Sequence, residues 1–149
     1  MQQQSDGRIT LGWRERVSLP DLGIPQIKAK VDTGARTSAL HAYFVEPYET
    51  NGEQRVKFGI HPIQGDNKTS IICDAPVLEQ RNVTDSGGHL ESRFFIEADI
   101  LIGTTRRKIE ISLTNRDTMK FRMLLGRTSL TGQFCVDPEL SYCSGKPNL

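Results

Sequence analysis

The segment Lys28-Ala-Lys-Val-Asp-Thr-Gly-Ala-Arg-Thr-Ser-Ala-Leu40 runs from a β-prone lead-in straight into an acid, a hydroxyl and a glycine. Asp32, Thr33 and Gly34 are all turn formers, so an ordinary surface turn is one reading. The other is a carboxylate presented at the end of a strand, Ile27 to Val31, for general acid or base work. In that reading Asp32 is the reacting acid. A second segment, Met123-Leu124-Leu125-Gly126-Arg127, sets apolar residues before a glycine and an arginine near the end of the chain.

Other chemistries find less support. Thr37-Ser38 and Ser86-Gly87-Gly88-His89 contain hydroxyls, but no Gly-x-Ser-x-Gly elbow accompanies them; they read as a capping pair and a turn. His41, His61 and His89 have no metal-ligand spacing and there is no HExxH, so no metal is expected. A nucleotide loop ending in Lys-Ser or Lys-Thr is absent, and no cofactor is expected. Cys73, Cys135 and Cys143 are an odd set without CxxC and read as reduced thiols.

The elements that would position Asp32 are strands. Val56, Phe58 and Ile60 alternate with Arg55, Lys57 and Gly59, as do Ile109, Ile111 and Leu113 with Lys108, Glu110 and Ser112, and Phe121, Met123 and Leu125 with Lys120, Arg122 and Leu124. Strands are expected over Leu11 to Leu19, Gln26 to Val31, Ser92 to Ile102 and Lys108 to Leu113. Turn signals such as Leu22-Gly23-Ile24-Pro25, Asn51-Gly52, Asp85-Ser86-Gly87-Gly88, Gly103-Thr104 and Asn115-Arg116-Asp117 separate the runs. Short helices are expected only at Thr37 to Tyr43 and Arg127 to Leu130. The fold class is all-β, a barrel or sandwich. A single domain fills 1–149, with 1–7 as a flexible tail.

Bulk composition narrows the partners. Nineteen Lys and Arg against eighteen Asp and Glu give a net charge of +1, which is no footprint for nucleic acid. Arg106-Arg107-Lys108 reads as a solvated hairpin tip. The apolar runs are far shorter than the roughly 20 residues of a membrane span, and no signal pattern opens the chain, so a cytoplasmic location is expected. Trp13, the single tryptophan, reads as core or dimer packing.

Asp32-Thr33-Gly34-Ala35 together with Leu124-Leu125-Gly126-Arg127 resembles the paired signature of retropepsin-like aspartic proteases. Longer stretches resemble a bacterial branch of that clan: Leu11-Gly-Trp-Arg-Glu15, Ser18-Leu-Pro-Asp-Leu-Gly-Ile24, Lys28 to Ala42, and Leu113-Thr-Asn-Arg-Asp117 through Phe121 to Arg127. Members of the branch are often labelled "ATP-dependent zinc proteases" and are associated with ATP-grasp ligases that add glutamate to proteins. The resemblance implies a closed β-barrel of the acid protease type and an aspartic endopeptidase acting on a peptide or protein. Asp32, Thr33 and Gly34 form its catalytic loop, supported by Leu124, Leu125, Gly126 and Arg127. Two carboxylates must share one proton across a water. Asp74, Asp85, Asp99, Asp117 and Asp137 are not followed by Thr-Gly or Ser-Gly, so the second carboxylate must come from another copy. The resemblance implies a twofold homodimer with Asp32 of each copy at the axis. Thr33 would brace the two loops. Ala35, Arg36 and His61 are the expected substrate-side residues, with Gly59 to Gly65 as the cover over the substrate. Asp32 and Gly126 stand 94 positions apart, longer than in the compact viral enzymes, with the extra chain expected between 45 and 95. Two alternatives stay open: a non-catalytic module of the same shape that serves a ligase system, and a zinc-dependent peptidase.

Overall fold

The computed structural model describes residues 7–84, 87–115 and 120–147. Twelve strands carry the fold: β1 (Ile9–Leu11), β2 (Arg14–Leu19), β3 (Ile24–Asp32), β4 (Ser38–His41), β5 (Phe44–Thr50), β6 (Glu53–Ile60), β7 (Ile71–Pro76), β8 (Glu79–Thr84), β9 (Leu90–Ile102), β10 (Thr105–Thr114), β11 (Met123–Gly126) and β12 (Phe134–Val136). The expected tail lies outside the described residues except for Gly7, and the turns at Asp85-Ser86 and Arg116-Asp117 also fall outside them.

The central sheet has the order β10-β4-β11-β3-β2-β9-β8 and returns on itself because β9 also pairs with β10. The closure leaves β8 outside the ring as the sheet's edge, and edges are the usual hazard of an antiparallel sheet. Alternation explains what fills the ring. Val17 and Leu19 on β2, Ile27, Ala29 and Val31 on β3, and Ile96, Ala98 and Ile100 on β9 are buried, while the residues between them are mostly exposed or half-buried. The β9–β10 hairpin turns through Gly103 at φ 61°. The extra chain between 45 and 95 begins as a separate three-stranded sheet, β5-β6-β7, whose Val56, Phe58, Cys73 and Ala75 pack on the main core. Burial pushes the Cys73 thiol up to about 11. No helix among the described residues is long and apolar enough to cross a membrane.

The sequence expectation fails most clearly at one element. Ser38 to His41 is a strand, β4, and not a helix. All four of its residues are buried, wedged between β10 in parallel and β11 in antiparallel register. Ladder partners on both sides override a locally ambiguous Ser-Ala-Leu-His run. Arg127–Ser129 is a single 3-10 turn, as is Pro20–Leu22. The strand expected over Leu11 to Leu19 breaks at Gly12 and Trp13, because the C-terminal segment crosses there. A Cβ on Gly12 would lie 2.2 Å from the Leu140 carbonyl oxygen.

That crossing is held by a buried acid. Glu15 is 0% exposed, and its carboxylate accepts from the Gly12 amide (2.7 Å), the Cys143 amide (3.0 Å), the Ser144 amide (3.0 Å) and the Ser144 hydroxyl (2.6 Å). Four donors offset the cost of burying the acid. The clamp ties residues 143–144 to the start of β2. One residue before β2, the Trp13 carbonyl accepts the Val31 amide at 2.8 Å, directly behind Asp32. Glu15→Ala strands these donors and should cost about 2–4 kcal/mol in urea unfolding, with faster proteolysis of the C-terminal segment. Unchanged stability and cleavage pattern would show that the clamp is not needed.

Candidate active site

β11 lies between β3, with which it runs parallel, and β4, with which it runs antiparallel. In register, Leu124 stands opposite Lys30, Leu125 opposite Val31 and Gly126 opposite Asp32. The chain leaving Asp32 must therefore loop around the end of β11 to re-enter as β4. Only a residue without a side chain lets the loop pass: a Cβ on Gly126 would sit 2.4 Å from the Thr37 carbonyl carbon. Leu125 is fully buried beneath the crossing, and Leu124 is half-buried.

The loop has almost no freedom. The Gly34 amide donates to Asp32 Oδ1 at 3.1 Å, and the Ala35 amide closes a turn on the Asp32 carbonyl at 3.2 Å. Arg127 Nη1 donates to the Gly34 carbonyl at 3.2 Å and the Arg127 amide to the Ala35 carbonyl at 2.9 Å. The Arg36 carbonyl accepts from the Thr128 amide (3.0 Å) and the Thr128 hydroxyl (2.7 Å). Three successive carbonyls of the turn are thus held by the two residues after Gly126. Asp32 stays half-exposed, and among the described residues Oδ2 takes no hydrogen bond. Such a carboxylate can exchange protons with a bound water. Thr33 is exposed and lines a cleft of about 520 Å³ with Arg127, Leu130, Thr131 and Phe134.

The structure thus brings together Asp32, Gly34, Ala35, the Arg36 backbone, Leu124, Leu125, Gly126 and Arg127. It does not bring His61 into this set. Its ring stacks on Tyr43 at 4.2 Å, and Nδ1 bonds to the Thr69 carbonyl at 3.2 Å. The segment expected to arch over the site is also tied down. Gly59 and Ile60 are buried in β6, and the loop after them is fixed by Asp66, which accepts from the Lys68 and Thr69 amides. These N–H donors hold the Asp66 carboxyl below its ordinary value. β8 is the edge strand of the main sheet, and no residue from Glu79 to Thr84 is buried.

Two serines went unread in the sequence. Ser38 Oγ accepts the Gly126 amide at 3.0 Å and shares a 2.7 Å hydrogen bond with Ser129 Oγ. Both serines are buried, so they brace the crossing from inside. The pair Thr37-Ser38 was visible as a capping signal, but nothing local indicated a partner 91 positions away. Among the described residues no three or more His, Cys, Asp or Glu stand together to hold a metal, so the donor set of a zinc hydrolase is not assembled there. Replacing Ser38 with Ala should cost about 1–3 kcal/mol in urea unfolding, and Gly126→Ala should cost more because backbone must move. Equal, near-zero costs would remove the crossing from its supporting role.

The sequence profile described as RimB-like, retropepsin-like aspartic endopeptidase RimB, matches residues 10–147. A probable alpha-L-glutamate ligase of Shewanella halifaxensis is 42% identical over 144 residues, covering 97% of this chain and 31% of its own. One from Parasynechococcus marenigrum is 44% identical over 138 residues, covering 93% and 30%. The chain therefore spans about a third of the length of the curated relatives it matches. The crystal structure of Lpg0085, a protein of unknown function from Legionella pneumophila, shares the fold with a TM-score of 0.76 at 24% identity, over 91% of this chain and 97% of that one. With the loop at Asp32 and the crossing at Gly126 in place, the profile match over nearly the whole chain shows that the protein belongs to the RimB-like family of retropepsin-like aspartic endopeptidases.

Proposed function

We propose that the chain is an aspartic endopeptidase that works as a twofold homodimer, with Asp32 of each protomer facing a shared water. The observation that carries this reading is the Asp32 carboxylate itself: its Oδ1 is fixed by the Gly34 amide and its Oδ2 is open, on a loop held at three successive carbonyls. Such immobilisation is what a pre-positioned general base needs and a binding surface does not. The chain carries one Asp-Thr-Gly, so a second copy supplies the second acid.

One Asp32 removes a proton from the water while the water oxygen adds to the peptide carbonyl carbon. The other Asp32 gives its proton to the carbonyl oxygen. The tetrahedral intermediate then collapses: the Asp32 that took the water's proton gives it to the nitrogen as the C–N bond breaks, and the other Asp32 takes a hydroxyl proton back from the intermediate, which restores the shared proton. Thr33 braces the paired loops across the axis.

Relatives named as glutamate ligases carry a region like this one within a chain about three times as long. This favours work alongside a glutamate ligase system, with peptide bonds in the ligase's products as substrates. The same observation is the basis for the second reading, a non-catalytic module for such a ligase. Asp32→Asn separates the two. We expect cleavage of a peptide library to fall by about 10³-fold or more while the dimer persists on size-exclusion chromatography, and a statine-type mimic to block the unsubstituted chain. Partner binding intact in Asp32→Asn, with no peptide cut by either protein at any pH, would select the module.

A further inference from the structure

We propose that Arg93 is a positioning residue for Asp32: with Glu91 it fixes both ends of β4, and through β4 the loop that presents the carboxylate; this rests on the peptidase reading above. Arg93 and Glu91 stand two positions apart on β9, so their side chains leave the strand on one face. Arg93 is buried, and its Nε donates to Glu91 Oε1 at 2.5 Å. The β9–β10 register runs as far as Phe95 opposite Ser112, and the rest of β9 pairs with β8. Both side chains nevertheless reach back to β10, one to Ser112 and the other to Thr114.

Donor counting fixes the direction of this relay. A guanidinium donates and has no acceptor. Ser112 Oγ therefore accepts from Arg93 Nη1 at 3.2 Å, and its single proton goes to the Ser38 carbonyl at 3.4 Å. Without the cation the Ser112 hydroxyl is free to turn elsewhere. Ser38 is where the loop from Asp32 re-enters the sheet, and its own Oγ accepts the Gly126 amide at 3.0 Å. Gly126 leads directly into Arg127 and Thr128, which hold the carbonyls of Gly34, Ala35 and Arg36. The relay thus meets the loop at its exit and at its support. At the far end of β4 the Thr114 hydroxyl donates to the Glu91 carboxylate, at 2.9 and 3.1 Å from its two oxygens. The Thr114 carbonyl accepts the Ala42 amide at 2.9 Å.

Stability alone does not account for a cation here. Arg81 stands directly opposite Arg93 across β8–β9, and facing like charges oppose pairing. Arg81 is balanced by Glu79 and Glu110, and Arg93 by Glu91. A buried ion pair is often matched or bettered by hydrocarbon of similar volume. What the pair adds is direction: one arrangement of β4, and so one place for the Asp32 loop. An error of about 1 Å in a reacting group can lower a rate by about 10²-fold.

The test compares the unsubstituted chain with Arg93→Gln and Ser112→Ala. Peptide cleavage is normalised to the folded dimer on size-exclusion chromatography. Hydrogen–deuterium exchange is followed at the Gly34 and Ala35 amides and, as a reference, in β6. The proposal expects kcat to fall about tenfold or more in both variants with KM within about twofold. Exchange at Gly34 and Ala35 speeds up while β6 is unchanged. Ser112→Ala removes only the linking hydroxyl and keeps the Arg93–Glu91 pair, so it decides the matter if Arg93→Gln does not fold. An unchanged kcat, a rise in KM alone, unchanged exchange at Gly34 and Ala35, or equal acceleration in the loop and in β6 would overturn it. Exchange needs no turnover. Loss of the peptidase reading would appear as absence of Asp32-dependent cuts by the unsubstituted chain, and the exchange comparison would still decide whether Arg93 positions Asp32.

Discussion

Everything near the candidate site depends on one close approach, the passage of the 32–38 loop around Gly126. The backbone of Thr37 lies where a Cβ would otherwise be. That approach lets β11 enter between β3 and β4 and form ladders with both. It also delivers Arg127 and Thr128 to the carbonyls of Gly34, Ala35 and Arg36. The loop that presents Asp32 is thus shaped by residues more than 90 positions downstream. Nothing in its own four residues could hold it so firmly.

Behind that crossing lies a set of buried polar contacts, each satisfied by its neighbours. Ser38 meets Ser129 and the Gly126 amide; Ser112 links Ser38 to Arg93; Arg93 pairs with Glu91. A buried polar group without a partner is costly, so such a chain favours one arrangement of β4, β9, β10 and β11 over sliding alternatives. On the opposite flank, Glu15 fixes the C-terminal segment beside Trp13 and Val31. The carboxylate at Asp32 is therefore supported from two sides, while its open oxygen faces outward.

Much of this was legible in the sequence, and the reasons differ by element. The alternation in β3, β9 and β10 is direct, because one face meets the core and the other meets water. The resemblance carried by Asp-Thr-Gly-Ala with Leu-Leu-Gly-Arg implies a loop with a segment crossing behind it, and the close approach at Gly126 gives that glycine a packing reason. Ser38 to His41 misled because a four-residue run with no alternation has no period to read, and its strand state is imposed by two neighbours. The way the segment expected as a cover, Gly59 to Gly65, is anchored was unreadable for a similar reason. Its anchors, the Tyr43 stack on His61 and the bond from Gln64 to the Lys120 carbonyl, join distant positions.

The central claim is that catalysis needs two Asp32 carboxylates, one from each protomer. The most direct measurement is peptide cleavage by a purified heterodimer of one unsubstituted protomer and one Asp32→Asn protomer, isolated through two different affinity tags. The account predicts that the heterodimer is as inactive as the doubly substituted dimer, because one carboxylate cannot both take the water's proton and protonate the carbonyl. Cleavage at half the rate of the unsubstituted dimer would contradict it, since each protomer would then carry a complete site.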